Sequence, residues 1–172
     1  AAGNGNFASS TFSRVVDTES PGVSLTTPVS NPTSSSSFTI TATFTETVGG
    51  FGLDDIAVTN GSAGNLTGSG TSYGFAVTPA SDGVVTVSCG AGAASDAAGN
   101  PSAAATTLSR TVDRSKPSAS LSSSVGAYTN DAQFSVTVTF SEPVSGFIAG
   151  DVTVGNGTVS GFAGSGDSYT VG

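Results

Sequence analysis

Apolar and polar residues alternate along much of the chain. In the segment Phe38-Thr39-Ile40-Thr41-Ala42-Thr43-Phe44, every second residue is apolar and the residues between are threonine. The same alternation returns at 134–140. A period of two is that of a β-strand with one buried and one exposed face, and no segment shows the periodicity of a helix. The pattern therefore predicts half-buried antiparallel sheets.

The chain also matches itself when it is shifted by 96 residues, without a gap. Residues 1–76 are identical to residues 97–172 at 32 of 76 positions, which indicates tandem copies of one structural unit. The predicted organisation is the C-terminal strand of a preceding repeat at 1–13, a complete repeat at 14–109 and an incomplete repeat at 110–172. Stacked repeats usually supply length and surface, not chemistry.

Seven short strands are predicted in the complete repeat. Their approximate ranges are 23–27, 38–44, 56–59, 65–67, 73–78, 84–89 and 103–111. Asn60-Gly61 predicts a hairpin turn after the third strand, because both residues tolerate positive φ. Seven short strands in a repeat of this length are typical of an immunoglobulin-like β-sandwich. The predicted fold class is all-β, with tandem Ig-like modules of about seven strands per 96-residue repeat. The second copy stops before the sixth and seventh strands, so we expect it to be an incomplete sandwich.

Composition and charge exclude several kinds of partner. The chain has 4 basic and 12 acidic residues and a net charge of −8. Nucleic acids and anionic lipids are bound through clusters of Lys and Arg, so neither is expected as a partner. No apolar run reaches the roughly 20 residues that cross a bilayer. Abundant Ser and Thr with a single Cys indicate an extracellular or bacterial cell-surface protein.

The chain offers little for catalysis. It contains no His, so an ordinary catalytic triad and an imidazole base are both missing. Its single cysteine, Cys89, is in phase with Val85 and Val87, which predicts a buried position on a strand. We expect no enzymatic activity.

Acidic residues gather at one end of the predicted sandwich. Six of the seven carboxylates of the complete repeat lie before the first strand, after the second, or between the sixth and seventh. Like charges at short distance repel unless a cation lies between them, and Ca²⁺ binds six to eight oxygen ligands. The candidate calcium ligands, completed by backbone carbonyls, are Asp17, Glu46, Asp55, Asp96 and Asn100, and in the second copy Asp113, Glu142 and Asp151. Alternatively, these acids only cap turns by accepting hydrogen bonds from backbone N–H groups.

Several motifs together carry a family resemblance. They are Val16-Asp17-Thr18-Glu19-Ser20-Pro21, Phe44-Thr45-Glu46-Thr47-Val48-Gly49-Gly50-Phe51, Thr78-Pro79-Ala80-Ser81-Asp82-Gly83, Asp96-Ala97-Ala98-Gly99-Asn100 and, in the second copy, Phe140-Ser141-Glu142-Pro143-Val144-Ser145-Gly146-Phe147. In this order they resemble the bacterial Ig-like repeats of giant surface adhesins and other large secreted proteins. The resemblance implies modules that Ca²⁺ often stiffens at their junctions.

The leading functional interpretation is a structural or spacer module of a long extracellular adhesin or filament. Its partners would be neighbouring Ig-like repeats and other copies of the same chain. One alternative is a module that binds carbohydrate or protein, although a glycan site would be expected to show exposed aromatic residues and the chain has no Trp. The other is an accessory domain of a secreted enzyme or phage particle.

Overall fold

A computed structural model describes residues 2–172, which divide into two compact units, one that ends at Arg114 and one that runs from Ser115 to Gly172. The first unit contains six strands: β1 (Val23–Thr26), β2 (Phe38–Val48), β3 (Ile56–Thr59), β4 (Gly61–Pro79), β5 (Gly83–Cys89) and β6 (Leu108–Val112). They form two antiparallel sheets, in the orders β1-β2-β4 and β3-β5-β6. This is the all-β sandwich that the alternating sequence predicts.

Strand β4 is a hairpin in itself. Its second half pairs with β2 over residues 70–77. Its first half runs beside the second, since Thr67 Oγ1 donates to the Gly74 carbonyl at 3.2 Å and a Cβ on Gly68 would collide with the Ser72 carbonyl oxygen. The two halves correspond to the fourth and fifth predicted strands, so the first unit has seven strand segments, as predicted.

The predicted hairpin turn at Asn60-Gly61 is wrong. Strand β3 pairs with β5, in the register Val58↔Val87, and not with the strand that follows it. Asn60 does adopt a positive φ of 53°, but it lies where the chain passes from one sheet to the other. Its side chain accepts from the Ser81 backbone N–H at 3.2 Å, which ties this corner to the turn before β5.

The core of the first unit lies between its two sheets. The apolar faces of β2 and β4, which lie in one sheet, meet the apolar face of β5 in the other. The side chains there that are at most 1 % exposed are Ile40, Ala42, Phe75, Val77, Val85, Val87 and Cys89. Cys89 is therefore buried on a strand, as predicted. Burial raises the pKa of its thiol to about 11, with a smaller contribution from the charge of Asp55.

The second unit is one three-stranded sheet. It contains β7 (Ala119–Ser123), β8 (Val136–Val144) and β9 (Phe162–Val171), in the order β7-β8-β9. The register repeats that of the first unit, because Leu121↔Val138 corresponds to Leu25↔Ala42. Residues 115–172 contain no counterpart of β3, β5 or β6. In the first unit β3 is held by its pairing with β5, and residues 152–155 have no equivalent strand to pair with. Leu121 in the second unit is 72 % exposed.

Two expected boundaries differ in the structure. Residues 2–13 form no strand, although a strand was expected at 1–13, and Ala1 lies outside the described residues. The corresponding strand β6 pairs with β5, whereas Phe7 and Phe12 are exposed. Strand β6 also continues to Val112, so the last strand of the complete repeat crosses the boundary expected at residue 109.

Candidate metal centre

Three predicted ligands meet at one end of the first unit. One carboxylate oxygen from each of Asp17, Glu46 and Asp96 lies within 4.8 Å of the other two. Asp17 precedes β1, Glu46 lies near the end of β2, and Asp96 is in the connection between β5 and β6. These three carboxylates, called the acidic cluster below, are half-buried except for the exposed Asp17.

Glu46 occupies a position that β2 would normally give to an apolar residue. It is in phase with the buried Phe44 and Val48, so its side chain lies on the inner face at the end of the sandwich. The register between β2 and β4 also shifts between Thr43 and Val48, the stretch that contains this carboxylate. The alternation pattern predicts Glu46 in the loop after the second strand, but in the structure it belongs to the strand.

Asn100 holds the Asp96 carboxylate in place. Its backbone N–H donates to Asp96 Oδ1 and its side-chain Nδ2 donates to Oδ2, both at 2.8 Å. Nδ2 also donates to the Asp17 carbonyl oxygen at 3.2 Å, which links two of the segments that meet here. The predicted residue Asn100 is therefore part of the site, and in the structure it acts as a donor that positions two acids.

A backbone bridge brings the Asp96 loop to the end of β2. Gly49 N–H donates to the Ser95 carbonyl at 2.8 Å, and Ser95 N–H donates to the Gly49 carbonyl at 3.0 Å. Ser95 is next to Asp96, and Gly49 follows Val48, the last residue of β2. No sequence signal marks this bridge, because neither residue carries a side chain that indicates it.

Aromatic rings support the same end of the sandwich. Phe44, Phe51 and Tyr73 pack edge to face with ring centroids 5.1–5.9 Å apart. The buried Tyr73 hydroxyl donates to the Val48 carbonyl at 3.1 Å. These contacts fix the end of β2, two residues from Glu46.

The acids shift each other's protonation. Burial raises the pKa of Glu46, and the charges of Asp17, Asp96 and then Glu19 raise it further. The pKa of Asp96 is lowered, first by the hydrogen bond from the Asn100 side chain and also by backbone N–H donors of residues 98–100. Asp96 thus keeps its charge readily, while Glu46 carries the unfavourable repulsion. Glu19, which is not among the candidate ligands and is replaced by Ser115 in the second copy, contributes to this field.

The remaining candidate ligands lie elsewhere. Asp55 Oδ2 accepts from the Gly52 N–H at 2.8 Å and caps the 3-10 turn Leu53–Asp55. Asp151 does the same for Ile148 at 2.9 Å in the turn Ala149–Asp151. Neither belongs to the acidic cluster, and residues 2–172 contain no second group of three acids that meets Asp113 or Glu142. For Asp55 and Asp151 the structure has the capping contacts that the alternative interpretation describes.

The acidic cluster is chemically suited to a hard divalent cation. It supplies three carboxylates whose mutual repulsion a cation would relieve, and Ca²⁺ prefers carboxylate and carbonyl oxygens. Asp17 Oδ1 also accepts from the Glu19 N–H at 3.0 Å, and both Asp96 oxygens accept from Asn100. A carboxylate oxygen has two lone pairs, so these hydrogen bonds can orient the carboxylates while they face a cation.

Comparisons with known proteins agree with the fold. The bacterial Ig-like domain family model matches the chain twice, at residues 17–112 and 113–171. Neither the curated proteins nor the solved structures gave a match. No helix among residues 2–172 is long and apolar enough to cross a membrane. Since the two matches together cover most of the chain, the protein belongs to the bacterial Ig-like domain family and contains two tandem copies of that domain.

Proposed function

We propose that the protein is a structural spacer in a long extracellular adhesin or filament of a bacterial surface. The observation that carries the proposal is that two copies of one domain follow each other directly, at 17–112 and 113–171. Tandem modules without an intervening linker extend a chain at a roughly fixed length per repeat. Bacterial Ig-like domains are typically non-enzymatic, and we propose that this chain has no catalytic activity.

We further propose that Ca²⁺ binds Asp17, Glu46 and Asp96 and stiffens the end of the repeat where the preceding module would join. The proposal is supported by the position of the acidic cluster. Asp17 lies on the chain that leads into β1, so a cation shared with Glu46 and Asp96 would fix this chain to the sandwich. Asn100 would orient the ligands from the side, through its contacts with Asp96 and the Asp17 carbonyl.

Calcium titration of the whole chain tests this proposal. We expect heat of Ca²⁺ binding in calorimetry and a melting temperature that rises with Ca²⁺ and falls in EDTA. A ten- to hundredfold excess of free Ca²⁺ over Kd should add about 1–3 kcal/mol to the free energy of unfolding of the first unit. Glu46→Gln and Asp96→Asn should abolish both the heat and the shift.

Asp54→Asn is the matched control. It removes the same charge as Asp96→Asn from the same unit, but Asp54 is exposed and lies outside the acidic cluster. Its response to Ca²⁺ should equal that of the unaltered chain. Absence of binding heat together with an unchanged melt in EDTA would refute calcium binding. The spacer proposal would not be affected by that result, because it is tested separately by the resistance of the first unit to pulling.

A further inference from the structure

We propose that the second unit binds residues 12–17 of a second copy of this chain, so that copies join head to tail. Residues 12–17 are called the donor segment below, and the uncovered inner face of the sheet β7-β8-β9 is called the open groove. The inference goes beyond the spacer proposal and does not depend on it. It rests on two features of residues 2–172, a segment that has the sequence of a strand but forms none, and an apolar sheet face that is open to solvent.

The donor segment has the sequence of strand β6. Shifted by 96 positions it lies on residues 108–113, and four of the six positions are identical, namely Ser, Arg, Val and Asp. In the first unit Val112 is 1 % exposed and Leu108 packs against the core. The donor segment forms no strand, and the counterparts of these two side chains, Val16 and Phe12, are 84 % and 79 % exposed. The apolar groups that β6 buries are therefore left in solvent here.

The open groove is the face that a second sheet covers in the first unit. It has a volume of about 790 Å³, and its apolar lining includes Leu121, Phe134, Val136, Val138 and Val154. None of the residues of the second unit that line it is charged. Leu121 is 72 % exposed, whereas the residue 96 positions before it, Leu25, is 9 % exposed. The groove therefore has both the space and the apolar surface to bury further side chains.

Thr129 supplies hydrogen-bonding groups for a strand beside this sheet. In the first unit its counterpart, Thr33, holds the outer edge of β6: the Thr33 N–H donates to the Thr111 carbonyl, and the Asp113 N–H donates to the Thr33 carbonyl, both at 2.9 Å. Thr33 is 6 % exposed as a result. Thr129 is exposed, and within residues 2–172 no group bonds to its backbone N–H or carbonyl. The second unit thus has the half of this pairing that a β6-like strand would complete.

The turn at Thr129 has the same hydrogen bond as the turn at Thr33. Thr129 Oγ1 accepts from the Asp131 N–H at 3.1 Å, and Thr33 Oγ1 accepts from the Ser35 N–H at 3.1 Å. The side chain of each threonine is thereby occupied in its own turn. The backbone of Thr129 remains available to a strand, as the backbone of Thr33 is to β6.

The repeat fixes the register in which the donor segment would bind. The Val15 carbonyl would accept from the Thr129 N–H, and the Asp17 N–H would donate to the Thr129 carbonyl. Phe12 and Val16 would then face the open groove, as their counterparts in β6 face the core, while Val15 would face solvent. Addition of an extended segment through main-chain bonds, with alternate side chains in apolar pockets, is a general mode of recognition.

Charge and competition also favour the second unit of another copy. Residues 2–16 carry one charged residue, Arg14, which is identical to Arg110 of β6. The second unit carries one base, Lys116, and four acids: Asp131, Glu142, Asp151 and Asp167. Opposite net charges promote association. The first unit offers no such site, because β6 already occupies the edge at Thr33.

The proposed contact joins two different surfaces. Each copy offers a donor segment and an open groove, so the contact repeats from copy to copy and builds linear assemblies. One short segment covers the groove only in part and brings no counterpart of β5. We therefore expect weak association, with Kd between micromolar and millimolar.

Sedimentation equilibrium of the full chain tests the donor segment. The average mass should rise with concentration, and Val16→Asp should weaken association about tenfold or more, since it places a charge in the apolar groove. Val15→Asp is the matched control. Both valines are largely exposed within one copy, at 84 % and 96 %, and both variants add the same charge. Only the β6-like register distinguishes them, and Val15→Asp should associate like the unaltered chain.

Leu121→Asp tests the open groove in the same measurement. It should weaken association as Val16→Asp does, whereas Ser122→Asp, on the opposite face of β7, should not. Both residues are exposed, so neither variant removes core packing. A mixture of the Val16→Asp and Leu121→Asp chains should form dimers and nothing larger, because one intact donor segment meets one intact groove.

Hydrogen exchange reads the register directly. The amide of Thr129 should gain protection as the concentration rises, in the unaltered chain and not in Val16→Asp. A single copy at every concentration would refute the proposal, and so would association that survives Val16→Asp, as expected if two open grooves packed face to face. Protection of Thr129 without a rise in mass would also refute it, since the donor segment would then bind within its own chain. None of these results affects the spacer proposal, which is tested by pulling on single copies.

Discussion

Glu46 is the residue at which the chain departs most clearly from its own pattern. The alternation of β2 continues through Phe44 to Val48, and a carboxylate stands between them in the inward phase. In the second unit Glu142 stands in the same way between Phe140 and Val144. The sequence itself therefore shows an acidic residue at the same inward-facing strand position in both copies. Such a position is a signal of a site, because burial of a charge is unfavourable without compensation.

The protonation of Glu46 gives a testable pH dependence. Its pKa is raised on folding from an ordinary value of 4.5, so the folded state holds this proton more tightly than the unfolded state does. Stability contributed by the protonated group is therefore present below pH 4.5 and is lost as the pH rises through the raised pKa. We expect Glu46→Gln to melt higher than the unaltered chain at neutral pH in EDTA, with the difference disappearing in acid.

Asp96→Asn should show the opposite sign in the same thermal melts. The pKa of Asp96 is lowered, so its ionised form stabilises the fold above the ordinary pKa, and that stability is lost as the pH falls through the lowered value. The variant should melt below the unaltered chain at neutral pH. The Glu46→Gln prediction has its own contradicting outcome. If the melting temperature of Glu46→Gln exceeds that of the unaltered chain by no more at neutral pH than in acid, the repulsion within the acidic cluster is not as described.

At the residue scale, the sequence predicted part of the acidic cluster. The sandwich topology brings together the segments that carry Asp17 and Asp96, and it separates both from the turn before β5. Asp55 is the exception, because its carboxylate caps a 3-10 turn that no alternation pattern reveals. The contact of Asn100 with the Asp17 carbonyl spans 83 positions and depends on the packing of loops, which the sequence does not show.

At the element scale, strands with strict alternation were predicted well and connections less so. Strand β3 has the predicted bounds, Ile56–Thr59, whereas β2 continues four residues beyond its predicted end to include Glu46 and Val48. The error at Asn60 arose because the positive φ that suits a hairpin turn also suits a corner between sheets. Only the pairing partner distinguishes the two, and that partner, β5, lies far along the chain.

The hairpin in β4 gives a prediction at this scale. Gly68 has a φ of 99°, and a Cβ there would collide with the Ser72 backbone, so Gly68→Ala should destabilise the first unit by about 2 kcal/mol or more. Gly64→Ala in the same half of the hairpin is the control, because nothing lies within 4 Å of a Cβ at that position. Chemical denaturation of both variants measures the difference, and equal midpoints would contradict the close approach at Gly68.

At the scale of the whole molecule, the internal repeat predicted the tandem organisation. The register of β7, β8 and β9 reproduces that of β1, β2 and β4. The sequence could not show that residues 152–155 would fail to form a strand, because that depends on a partner strand and not on their own alternation.

Pulling on the ends of the full chain tests the spacer proposal most directly. A spacer must stay folded under load, and the first unit closes its two sheets over one core. We predict that it gives way in a single step that lengthens the chain by roughly 300 Å, the extended length of residues 17–112 less the distance between their folded ends. The three-stranded second unit should yield first, at a lower force. Gradual extension of the first unit, without such a step, would contradict the proposal that this protein is a load-bearing spacer.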